Sequence, residues 1–143
     1  MPSRLSTEAR SLAIVGASLF MIGLLQGAAI DQFANARMGL SAHLTAVQSG
    51  MAVMLAALLW QHAQLDGLIE RIARWSLAVG MVGLWVALTL SAMTGASDSL
   101  PIAGAGYEAE PLAETVVTSL IMVSSVAMVL GWGLFLVGLF RSR

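Results

Sequence analysis

The sequence contains no cysteine and no lysine, and only 10% of its 143 residues are charged. Without cysteine there is no disulfide, zinc–thiolate site, iron–sulfur cluster or thiol nucleophile. Soluble globular domains carry about 25% charged residues, so an ordinary soluble domain is excluded, as is a disordered tail. The seven positive side chains are all arginine and the formal net charge is −1. That balance offers no polyanion-binding surface and therefore no nucleic-acid partner. No Walker motif, zinc-protease motif or Ser–His–Asp ordering is present. What the chain does have is apolar: 58% of its residues, with a mean hydropathy of +0.85. A chain of this length cannot hide so much apolar surface in one core. The remaining class is a small integral membrane protein.

Four apolar runs account for most of the chain, at about 11–30, 44–65, 75–94 and 112–140. Each is long enough to cross a hydrocarbon core of about 30 Å at 1.5 Å rise per residue. The expected architecture is all-α, an integral membrane four-helix bundle forming a single domain over 1–143. The first run exceeds the 7–15 residues typical of a signal peptide and is expected to be a retained helix. Arg4 and Arg10 precede it, Arg71 and Arg74 lie in the second loop, and Arg141 and Arg143 close the chain. Only Arg37 falls on the opposite side, with Asp31, Asp98, Glu108, Glu110 and Glu114. The positive-inside rule then puts both termini in the cytoplasm, as in a bacterial inner-membrane protein. Small residues at helical spacing mark close helix approaches: Gly23 with Gly27, Gly80 with Gly83 and Ala87, and Ser124 with Ala127 and Gly131. Pro111 suits a helical first turn, and Glu114 just after it suits the positive end of the dipole.

Two histidines are the candidates for chemistry. His43 lies at the start of the second run and His62 near its end. Nineteen residues of helix separate them by about 28 Å, so they do not share a metal ion within one chain. Val47, Gly50 and Met54 fall on one stripe with His43. With Ala46 and Gly50 below the imidazole, a flat ligand could lie against it. The other reading of His43 is an interfacial histidine bonded to loop carbonyls. His62, beside Gln61, Gln64 and Asp66, reads as a wet cap. Tyr107 is the only tyrosine. It either anchors at the membrane interface or donates a hydrogen bond into a pocket.

Two segments carry a resemblance: Ala36-Arg37-Met38-Gly39-Leu40-Ser41-Ala42-His43-Leu44, and Pro101-Ile102-Ala103-Gly104-Ala105-Gly106-Tyr107 with Leu112-Ala113-Glu114 after it. With four spans and this length, the chain resembles the hydroxylaminobenzene mutases and, more distantly, the styrene oxide isomerases. The resemblance implies a homotrimer with haem b between subunits, the iron held by the histidine that matches His43. It also implies an intramolecular rearrangement without net redox change. The chain departs from the pattern at Ser49, where the family tends to place Asn. It departs again at Val82-Gly83-Leu84-Trp85, where a polar pair precedes the Trp, and near Leu88, where a tyrosine orients substrate.

The expected function is therefore a haem-dependent membrane isomerase acting on small apolar aromatic substrates that enter from the lipid bilayer. In it, ferric iron is a Lewis acid. His43 is the metal ligand, Ala46, Val47 and Gly50 line the cofactor, and Ser49 and Tyr107 orient the substrate. The alternatives are a non-catalytic haem carrier or sensor, and a structural subunit in which His43 only caps a loop.

Overall fold

The computed structural model describes residues 5–141. Four helices run through them: α1 (Thr7–Gly27), α2 (Ala36–Leu59), α3 (Gly67–Thr94) and α4 (Pro111–Arg141). Single 3-10 turns lie at Ile30–Gln32 and Trp60–His62. All four helices are long and apolar enough to cross a membrane, so the all-α expectation holds for an integral membrane protein. Arg4 and Arg143 lie outside the described residues.

The helix ends differ from the ends of the apolar runs, for local reasons. α2 starts eight residues before Leu44 because Asn35 caps it, its side-chain oxygen accepting from the Met38 N–H at 3.1 Å. Arg37 and Ser41 interrupt the apolar run but not the helix. α3 starts at Gly67, after Asp66, and carries Glu70, Arg71 and Arg74 on its first turns. A helix needs paired backbone groups, not apolar side chains, once it emerges from hydrocarbon. α1 begins at Thr7, capped by the Ser6 hydroxyl, and ends at Gly27 rather than near Ile30.

Packing follows a heptad. The buried residues of α1 are Ala9, Leu12, Gly16, Leu19, Gly23 and Gln26, spaced alternately by three and four. On α4 the buried line includes Val117, Ser124, Gly131 and Gly138, seven apart. Such spacing gives the shallow left-handed crossing of coiled-coil pairs. α1 packs along α2, α3 along α4, and a smaller seam joins α2 to α3. Glycines set the closeness: a Cβ at Gly16 would lie 2.8 Å from the Gly50 carbonyl oxygen, and one at Gly131 would lie 2.7 Å from the Leu77 nitrogen. Lipid gives apolar faces little reason to associate, so this backbone proximity is what dispersion can act on.

The two ends of the molecule differ. At one end Trp60 stacks on Phe135 at 5.4 Å, within the main apolar cluster that also takes in Leu12 and Leu77. Trp60 Nε1 there donates to Glu70 at 2.9 Å. The other end is closed by loop three, 95–110. Glu114 accepts from the Ser97 N–H at 2.9 and 3.0 Å and from the Asp98 N–H at 3.0 Å. Its role in the structure is to hold this loop over the first turn of α4. Asn35, fully buried, ties the same loop to α2 by donating to the Ala103 carbonyl at 3.1 Å.

Candidate functional site

His43 is the eighth residue of α2, two turns inside the helix rather than at its start. Its ring crosses to α1, where Nδ1 lies 2.7 Å from the Gly23 carbonyl oxygen. A carbonyl only accepts, so Nδ1 carries the proton. A neutral imidazole has one N–H, which leaves Nε2 with its lone pair. The ring is half-buried, and the neighbouring Leu40 and Leu44 are exposed. His62 is exposed in the turn after α2, and α2 runs unbroken from His43 to Leu59. The two rings therefore lie at opposite ends of one helix. No cluster of three or more potential metal ligands occurs among the described residues.

The small stripe below His43 is not a ligand face within this chain. Ala46 and Gly50 are buried and Val47 is half-buried, and α1 is what covers them. A Cβ at Gly23 would lie 2.8 Å from Ala46 Cβ and 2.9 Å from the Val47 nitrogen. One at Gly50 would lie 2.6 Å from the Phe20 nitrogen. The smallness that suggested room for a flat cofactor is consumed by helix–helix approach. Ser49 is buried on the neighbouring line of α2, between Ala46 and Val53. Tyr107 is half-buried in loop three. Its carbonyl accepts from the Ser97 hydroxyl at 2.6 Å and its N–H donates to Gly104 at 3.0 Å. No hydrogen bond joins Tyr107 or Ser49 to His43 among the described residues.

Sequence reasoning missed Gln26. It is 9% exposed, on the α1 turn between Gly23 and Gly27. Its Oε1 accepts from Trp85 Nε1 at 2.7 Å and its Nε2 donates to the Thr89 hydroxyl at 3.1 Å. This polar set inside the membrane-spanning region locks the carbonyl that holds His43 to α3. The heptad register of Gln26 was the available signal. Leu88, at a position where the resemblance implies a polar group, packs with Met38, Ala42 and Ala92, and Leu84 packs against them. Val82 packs on the main apolar cluster. A recess of about 700 Å³ lies between loop three and α4 and is lined by Asp98, Glu108, Glu114 and Thr118 among others. It contains none of the residues around His43.

These features define a four-span helical membrane protein with a histidine held in one tautomer at a helix seam. Residues 8–140 match the family model of styrene oxide isomerase, and the chain belongs to that family. It is 33% identical over 127 residues to hydroxylaminobenzene mutase HabA of Ectopseudomonas oleovorans, covering 88% of this chain and 94% of the relative. It is 34% identical over 140 residues to hydroxylaminobenzene mutase HabB of the same organism, covering 96% of this chain and 85% of that relative. No solved structure matches it.

Proposed function

We propose that the protein is a membrane isomerase that rearranges small apolar aromatic substrates, arylhydroxylamines or aryl epoxides, with haem b held through His43 Nε2. Family membership and the names of the two mutases support the reaction class. The observation that carries the site is the Nδ1 contact with Gly23. A metal-ligating histidine needs its other nitrogen occupied by an acceptor, and His43 meets that requirement. The exposed apolar side chains of Leu40 and Leu44 beside the ring suit the face of a porphyrin. Because α1 covers one side of His43, the proposal includes a homo-oligomer, a trimer, with the haem between copies.

Haem held by His43 would supply an electron-withdrawing iron to polarise an N–O or C–O oxygen. The chain's residues do the rest. The Gly23 carbonyl keeps the imidazole proton on Nδ1, so Nε2 is the nitrogen free to hold the iron. The spans exclude water and admit apolar substrates from the bilayer. Of the two candidate orienting groups, Tyr107 makes no hydrogen bond through its hydroxyl among the described residues, whereas Ser49 is buried in the α2 seam. Tyr107→Phe is expected to lower turnover about two- to tenfold, the worth of one hydrogen bond, and Ser49→Ala to change it less.

The test has two parts. His43→Ala loses the Soret absorbance of the purified protein, while His62→Ala keeps it. Membranes given phenylhydroxylamine form aminophenol without added reductant, or those given styrene oxide form phenylacetaldehyde. The packing of Leu84 and Leu88 around the start of α2 favours a second reading, haem binding without catalysis. That reading replaces the first if haem-loaded protein converts neither substrate.

A further inference from the structure

The ring of His43 lies where a side chain on α1 would be. A Cβ added at Gly27 would sit 2.8 Å from both Cε1 and Nδ1 of His43, with His43 Cγ next at 3.5 Å. Carbon atoms in contact stay about 3.5–4.0 Å apart. The imidazole therefore occupies the space that glycine leaves empty, and only there does Nδ1 reach the Gly23 carbonyl one turn earlier. The contrast with Gly23 is informative. A Cβ at Gly23 would meet the Val47 backbone nitrogen at 2.9 Å, so substitution there would part the helices. At Gly27 the near atoms all belong to the movable ring.

We propose that Gly27 is a positioning residue for His43: its missing side chain seats the imidazole so that Nδ1 donates to the Gly23 carbonyl and Nε2 presents its lone pair. The inference deepens the reading of His43 as an iron ligand and rests on it for its purpose, but not for its test. Three residues on one turn of α1 share the task. Gly23 offers the acceptor, Gly27 offers the space, and Gln26, bonded to Trp85 and Thr89, fixes the turn against α3. Alanine at Gly27 would push the ring away and leave α1 and α2 in register. The proton on the imidazole would then distribute between its two nitrogens.

The experiment reads the tautomer directly in the full chain. Protein carrying His62→Ala, so that one imidazole remains, is labelled with 15N-histidine, purified in detergent without haem and examined by NMR. The expected spectrum shows one protonated nitrogen, Nδ1, and one bare nitrogen, Nε2. Adding Gly27→Ala is expected to replace that single tautomer by a mixture. Adding Gly133→Ala, where a Cβ would meet nothing within 4 Å, is expected to leave it unchanged. In a hemin titration Gly27→Ala should weaken binding about 10- to 100-fold, the usual effect of disturbing a ligand's supporting hydrogen bond. A proton on Nε2 in the parent, or an unaltered spectrum in Gly27→Ala, overturns the inference. So does failure of Gly27→Ala to fold, since the ring would then not be the only group in the way. If the tautomer behaves as expected but the parent binds no hemin, the positioning stands and the cofactor reading falls.

Discussion

Gln26 and Asn35 are uncharged, yet each ties two elements of the fold together. Gln26 links α1 to α3 through Trp85 and Thr89. Gln26→Leu leaves the Trp85 N–H unpaired in an apolar setting and is expected to cost about 1–2 kcal/mol, measured by unfolding in mixed micelles. Asn35 has two separable roles, capping α2 through Oδ1 and fastening loop three through Nδ2. Asn35→Ser retains a capping oxygen and loses the donor to Ala103. It should therefore destabilise less than Asn35→Ala, whose lost cap alone is worth about 0.5–2 kcal/mol. A reversed order of the two variants would mean that capping is not what Asn35 contributes. Sequence reading found His43 because an ionisable group in an apolar run stands out. It passed over Gln26 because a neutral amide does not, and because its partners lie on a helix some sixty positions away.

The elements were legible as four apolar runs, and their existence followed from hydropathy alone. Their ends were not, because Arg37 on α2 and Arg71 on α3 sit in helix beyond the apolar stretch. That shift moved His43 from the mouth of α2 to two turns inside it, and α1 covers Ala46, Val47 and Gly50. The small residues were visible, but one chain does not say whether smallness serves a ligand or a neighbouring helix. The glycines give a direct check. Gly80→Ala would set a Cβ 2.8 Å from the Met128 backbone nitrogen and is expected to loosen the α3–α4 pair. Gly133→Ala meets nothing within 4 Å and should stabilise α4 by up to about 1 kcal/mol. Equal effects from both in a thermal unfolding assay would contradict the seam described. Loop three depends on Glu114. Glu114→Ala is expected to speed hydrogen exchange at the Ser97 and Asp98 amides, with the α1–α2 pair unaffected.

At the scale of the molecule, arginine is distributed unevenly between the two ends. Arg10, Arg71, Arg74 and Arg141 gather where α1 starts and α4 finishes, and Arg37 stands with Asp31, Asp98, Glu108, Glu110 and Glu114 at the other. We propose, from the positive-inside rule, that the arginine-rich end faces the cytoplasm. Reporter fusions at the C-terminus and in loop three check this, and an outward C-terminus would reverse the assignment. The packing pattern also makes the chain divisible. α1 with α2 and α3 with α4 are each extensively paired, and the connection between them is short. The Gln64 N–H donates to the Gly138 carbonyl at 3.0 Å, so the connecting residues belong with the second pair. Two separately encoded pieces, 1–62 and 63–143, should insert as independent hairpins and find one another in the bilayer through Gln26, Trp60 and Asn35. Co-purification of an untagged half with its tagged complement is the expected result. Halves that insert but never associate would show that the covalent joint, not the α2–α3 seam, holds the two pairs together.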